Sequence, residues 1–267
     1  TVGNGLIGEL PPELGNLTEL RILRILGDNL TGPIPPELGN LNKLEEIDFW
    51  SNALTGEIPA EIGGLVHLRS LGLSSNLLSG EIPPELANLT NLEWLGLSSN
   101  HLSGTIPSWL GGMTKLQGLG LASNRLSGPI PPELGNLTGL DSLGLYENKL
   151  TGQIPPELAN LTELNDLTLR NNELTGPIPP ELGNMTGLGL IDFSRNKLTG
   201  QIPPSLGNLI WLCSLNLSFN SLSGPIPPEL DNLSNPCAII LHSNDLSGEL
   251  PDFMANPGDQ WFELKYN

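Results

Sequence analysis

Apolar residues recur along this chain in a block of fixed length. Residues 68–92 show one copy: Leu68, Leu71, Leu73, Leu78, Ile82, Leu86, Leu89 and Leu92 are apolar, with Asn76, Gly80 and Pro83 at set places between them. The block returns every 24 residues without an insertion, so that Asn52, Asn76, Asn100, Asn124, Asn148, Asn172, Asn196, Asn220 and Asn244 form one column, which Asp28 and Asn4 continue backwards. Leu71 and Leu73 alternate with Ser70 and Gly72, so the leucines share one face of a short strand and the other pair faces away. Ten such strand cores are centred near residues 24, 48, 72, 96, 120, 144, 168, 192, 216 and 240. One block cannot bury its own apolar face, so neighbours must stack and pair their strands in parallel. At about 4.8 Å per strand, ten span on the order of 45 Å. An eleventh core is expected at Trp261, Leu264 and Tyr266, slipped by one residue.

The remaining columns explain how each coil closes. The heptad PPELGNL at 11–17, repeated at 35–41 and 131–137, places two prolines and a glycine between apolar positions. Proline starts a helical turn at no hydrogen-bonding cost, because its missing N–H has no partner there. Leucines three apart point inward from a tight 3₁₀-like turn, which glycine ends. The asparagine can bond backbone groups of neighbouring coils that are otherwise buried and unpaired. Ionised Asp28 accepts but does not donate, so the ladder is expected to be weaker there. Gly80 and its equivalents suit unusual backbone angles or close approach between coils.

Taken together these columns spell LxxLxLxxNxL followed by LxGxIPxxLxxL, the leucine-rich-repeat pattern. The stretches LTGEIPAEIGGLVHL at 54–68, LSGEIPPELANLTNL at 78–92 and LSGPIPPELDNL at 222–233 resemble the plant-specific class of these repeats. That class occurs in receptor-like kinase and receptor-like protein ectodomains and in polygalacturonase-inhibiting proteins. The resemblance covers essentially the whole chain. It implies an α/β repeat solenoid: a right-handed superhelix with a parallel concave sheet, convex 3₁₀ or short helical turns, and second short strands on one lateral face. Residues 1–267 are expected to form one solenoid of about ten complete repeats with partial repeats at both ends. Those families bracket the array with cysteine-paired caps. No such pairs occur here, so the chain is expected to be a fragment of a longer protein.

Composition narrows the function. The formal charge of −18, from 11 basic and 29 acidic residues, leaves no basic stripe for nucleic acid. Much of the acidity is one column copied: Glu13, Glu37, Glu61, Glu85, Glu133, Glu157, Glu181 and Glu229. No apolar run reaches the roughly 18 residues that suggest a membrane span. Cys213 and Cys237, the only cysteines, fall one period apart on adjacent strands, at an expected Cα separation of about 5 Å that a disulfide tolerates. A bridge and two free thiols both remain open. His67, His101 and His242 lie in different columns, so neither a metal centre nor a nucleophile–base pair is expected. Asp48 and Glu46 are poor acid–base candidates, because an open sheet is expected to desolvate them little. No cofactor and no catalysis are expected. Sequons begin at Asn16, Asn29, Asn88, Asn136, Asn160, Asn184, Asn216 and Asn232, which fits a secreted glycoprotein.

Specificity must sit where the copies differ, at the concave positions flanking the strand leucines. Three zones emerge. The first holds Arg24, Asp48, Trp50 and Trp94. The second is a glycine floor of Gly72, Gly96, Gly120 and Gly144. The third holds Tyr146, Asp166, Arg170, Asp192 and Arg195. Exposed Trp, Tyr and Arg are the side chains most enriched at binding hot spots. Trp109, where other copies carry glutamate, is expected to be an ordinary exposed aromatic. The leading expectation is an extracellular scaffold that binds a protein or peptide, or a glycan, on its concave face, as in receptor-like or defence proteins. An enzyme-inhibiting module and a structural array are the alternatives.

Overall fold

A computed structural model describes residues 3, 5–233, 237–251 and 261–263, the last three by their backbone alone. One parallel sheet of eleven strands runs the length of the molecule, one strand per coil, from Ile22–Arg24 to Trp261–Glu263. Successive strands pair one period apart, as in Glu46↔Ser70 and Ser70↔Trp94. The eleventh strand differs from the expectation. Phe262 pairs with Ile239, so the strand begins earlier than the spacing of Trp261, Leu264 and Tyr266 implied. Leu264, Tyr266 and Asn4 lie outside the described residues.

The opposite, convex side is built from ten five-residue 3₁₀ turns, Pro12–Asn16 to Pro228–Asn232. Among the described residues there is no α-helix, so the helical half of the expected α/β class is 3₁₀ throughout. In each coil an extended proline such as Pro83 (φ −62°, ψ 133°) enters the turn. Its carbonyl accepts the Leu86 N–H at 3.1 Å, and the Leu86 carbonyl accepts the Leu89 N–H at 3.0 Å. That leaves room for a single tight turn between two buried leucines. The next coil lies against it: a Cβ added to Gly63 would sit 2.3 Å from the Glu85 carbonyl oxygen. Four short lateral sheets of two to four strands complete the coil among the described residues, one pairing Ser79–Gly80 with His101–Leu102. Gly80 takes φ +81° there, a conformation costly for other residues.

Buried leucines and isoleucines from every coil merge into one continuous core, with Phe49 and Phe193 replacing leucine at the second strand position. Trp109, expected to be an ordinary exposed aromatic, instead packs half-buried against this core. A disulfide joins Cys213 and Cys237 on adjacent coils, with Cα atoms 4.8 Å apart.

The asparagine column does what its chemistry allows. Asn100 accepts the Leu78 N–H through Oδ1 at 3.0 Å and donates through Nδ2 to the carbonyls of Leu73 (3.0 Å) and Leu97 (3.1 Å). One buried amide thus ties three backbone groups across neighbouring coils. The residue before each ladder position turns the chain inward in a left-handed conformation, from Ser51 (φ 60°) to Ser243 (φ 58°). At Asp28 the ladder is incomplete. Oδ1 accepts the Leu6 N–H at 3.0 Å, but buried Oδ2 has no hydrogen-bond partner.

This asymmetry gives a paired prediction. Asn100→Ala strands a buried N–H and its carbonyl partners and should cost about 2–4 kcal/mol, whereas Asp28→Asn supplies the missing donor and should gain roughly 1 kcal/mol. Urea-unfolding midpoints of the two variants should move in opposite directions from that of the parent chain.

Candidate functional site on the concave sheet

The N-terminal coils are pinned by ion pairs between neighbours. Arg24 forms a two-pronged pair with Glu46, which raises the guanidinium pKa through hydrogen bonding and charge. Arg21 pairs with Glu45, and Arg69 with Glu93 at 3.0 Å. Asp48 lies half-buried on the sheet and accepts the Trp50 N–H at 3.1 Å. Burial raises its pKa, opposed by that N–H, while the charge of Glu46 raises it further. The expectation of little desolvation here is therefore corrected: Gly72 beside it carries no side chain, and a Cβ there would fall 2.6 Å from Asp48 Oδ1, so the carboxylate can lie down on the sheet. Trp50 is 46% exposed.

Trp94 is the most unusual residue of this face. It is 44% exposed, yet it does not stand upright. A Cβ on Gly118 would lie 2.0 Å from Trp94 Cε3 and 2.1 Å from Cζ3, so the benzo ring rests directly on the neighbouring strand's glycine. The indole forms a platform that only glycine at 118 permits. Beyond it a shallow depression of about 430 Å³ runs over Gly120 and Gly144 to Tyr146, bordered by Asp141 and Asp166.

At that depression the sheet is opened. Strands Gly118–Gly120 and Ser142–Gly144 pair at three positions, and so do Asp166–Thr168 and Leu190–Asp192. Between Ser142–Gly144 and Asp166–Thr168 only Gly144↔Thr168 pairs. The Gln117 carbonyl accepts two N–H groups, from Asp141 (2.8 Å) and Ser142 (3.1 Å), and the Asn165 carbonyl likewise accepts Gly189 (2.7 Å) and Leu190 (3.2 Å), but the Asp141 carbonyl accepts none. Asp141 and Asp166 are exposed and form no ion pair among the described residues.

The third zone divides. Arg170 lies over the Tyr146 ring at 4.8 Å and pairs with Glu147 at 2.8 Å, not with Asp166 or Asp192. Asp192 accepts the Ser194 N–H at 3.0 Å, the same local turn that Asp48 makes. Arg195 faces away from this group and stacks on Phe219 at 4.4 Å, which meets His242 edge-on at 4.8 Å. Column-by-column inspection missed Gly118, Asp141, Glu147 and Phe219, because each matters through a residue one period away. It also missed Trp211, 72% exposed on the turn that leads into its strand; a lone tryptophan in a column of Lys43, His67 and Lys115 was a readable signal. Among the described residues no group of acidic, histidine or cysteine side chains could hold a metal ion, and no helix is long and apolar enough to cross a membrane.

A continuous parallel sheet, 3₁₀ turns behind it and an asparagine ladder between them define a leucine-rich-repeat solenoid, a non-catalytic scaffold. The chain belongs to the leucine-rich-repeat family, in its plant-type form: residues 55–177 match a leucine-rich repeat region, and 43–65, 188–209 and 211–233 match single leucine-rich repeats. No curated protein matches it. Among solved structures it is similar to a TDR receptor, at 30% identity and a TM-score of 0.90, over 100% of this chain and 50% of that one. It is also similar to the Arabidopsis receptor kinase HAESA, solved with the peptide hormone IDA and the co-receptor SERK1, at 34% identity and a TM-score of 0.90, over 98% and 44%. A plant ice-binding protein matches at 30% identity and a TM-score of 0.74, over 92% of this chain and 79% of that protein. The chain thus spans about half the length of the two receptor chains.

Two tests follow from the geometry. Gly118→Ala should lift the Trp94 indole off its seat. In a proton–nitrogen NMR spectrum, one of the five tryptophan indole N–H signals should then shift strongly, while Trp94→Phe removes that same signal. Asp48 binds its proton more tightly folded than unfolded, so its contribution to stability is full below the carboxylate range and is lost as pH rises through it. Asp48→Asn keeps the acceptor for Trp50 and should raise the melting temperature at pH 7, the difference vanishing in acid.

Proposed function

We propose that this chain is a recognition module that takes a peptide or protein segment along its concave sheet, as the ligand-binding part of an extracellular receptor-like protein. The observation that carries this reading is the Trp94 platform. A large aromatic ring held flat and half-exposed on a glycine is a costly use of apolar surface unless something covers it. The resemblance to receptors whose ligands are peptide hormones supports the same reading. Fold alone does not choose, since an ice-binding protein shares the coil. The Cys213–Cys237 bridge fits an oxidising compartment. The exposed sequon residues Asn88, Asn136 and Asn160 lie on the convex turns, whereas Asn216 lies on the concave strand Ser214–Asn216, three coils past the strand Ser142–Gly144.

The test is selection of binders from a random peptide display library on the intact chain, followed by affinity measurements on Trp50→Ala, Trp94→Ala and Tyr146→Ala. Loss of a hot-spot aromatic should weaken binding by roughly 2 kcal/mol, with melting temperatures close to the parent's. Equal binding by all three variants would sink the concave-face assignment.

A further inference from the structure

The opened strand pair at Asp141 and Asp166 coincides with a break in the charge pattern of the preceding coils. In the column of Asp141 the first coils alternate in sign, Arg21, Glu45, Arg69 and Glu93, and neighbours pair across the coils. The alternation then stops. Asp141 is followed on the next coil by Asn165 and Asp166, so two carboxylates border one strand pair with no cation between them. Like charges on facing strands repel, and this is where the ladder between Ser142–Gly144 and Asp166–Thr168 falls to one residue pair and the Asp141 carbonyl loses both donors.

On the proposed peptide-binding reading, we infer that the depression between Trp94 and Tyr146 seats a lysine or arginine side chain of an extended peptide ligand, its charged head between Asp141 and Asp166. Three features converge on a cation. The carboxylates form no ion pair among the described residues, whereas Arg170, stacked on the Tyr146 ring that borders the depression, is already spent on Glu147. The Asp141 carbonyl offers a further acceptor, and lysine and arginine are donors only. The open face of the Trp94 indole borders the same depression, and an aromatic face attracts the alkyl stem and the charge of a basic side chain. Two carboxylates without a third charged or histidine ligand make no metal centre, so the complementary charge is organic. The net charge of −18 steers such a ligand toward this surface.

The probe is a peptide selected from the random display library, resynthesised with each arginine replaced by citrulline or each lysine acetylated. One such replacement should weaken binding to the parent chain roughly tenfold. On the double variant Asp141→Asn/Asp166→Asn the charged and neutral peptides should bind alike, which isolates the pair from other contacts. Because the variant removes repulsion, it should keep the parent's circular dichroism, and the backbone amides of Asn165 and Asp166 should exchange more slowly with solvent. Selected peptides with no excess of Lys or Arg overturn the inference while leaving peptide binding intact. The same charged-to-neutral ratio on parent and double variant also overturns it. A library that yields no binder at all removes the peptide-binding reading itself.

Discussion

The asparagine ladder is the interaction on which the rest of this molecule depends. A coil of 24 residues has no α-helix and too little strand to satisfy its own backbone, so turning the chain inward after each strand would bury unpaired N–H and C=O groups. The amide of Asn76 bonds the Leu54 N–H and the carbonyls of Phe49 and Leu73, and each copy does the same for its neighbours. An amide serves because it is donor and acceptor at once; a carboxylate leaves the donor half undone, as the unpartnered oxygen of Asp28 demonstrates. The ladder also explains the strict period. An inserted residue would displace one asparagine from carbonyls 3 and 27 positions back along the chain and would break two coils together.

Architecture was legible in the sequence because every column has one physical job repeated many times. Alternating leucines, the amide column and the proline entry to each turn announced strands, ladder and convex return. What escaped is instructive. The left-handed residue before each asparagine is serine in five coils and glutamate, asparagine, arginine or phenylalanine in the other four; glycine, the usual signal of such a conformation, does not mark these nine, because the ladder imposes it from outside. The 3₁₀ form of the convex turns, by contrast, was foretold by leucines three apart, because the chain between two buried leucines has room for only one tight turn. The eleventh strand was placed wrongly by its apolar residues, since Trp261, Leu264 and Tyr266 offered a plausible alternation in a register that the backbone pairing does not use.

The candidate site was legible only in part, and for a different reason. Trp94, Tyr146 and Asp166 stood out as departures from the repeat, and they do border one depression. Their partners did not stand out, because in a solenoid each side chain meets residues one period away. Gly118 looks like floor until the indole from the previous coil is seen to lie on it. Arg170 shares a zone with Asp166 and Asp192, yet Glu147, on the turn beside Tyr146, is the residue that holds it. Choice among several neighbours at similar distance is decided by side-chain direction, which spacing alone does not encode.

The opened strand pair shows how such a scaffold can carry a local departure without failing. Asn172 still accepts the Leu150 N–H at 3.0 Å and donates to the Leu145 carbonyl at 3.0 Å, so the ladder passes uninterrupted beneath the breach. The bonds lost are those at the outer, strand-entry edge, where water can replace them and a net backbone hydrogen bond is worth only about 1 kcal/mol. The stability that the inner ladder and the leucine core supply is therefore independent of the charges on the concave surface. That separation is what lets a nearly invariant repeat present a variable face: the columns that bury the backbone hold still, and the exposed columns are free to place acids, an aromatic platform and a gap side by side.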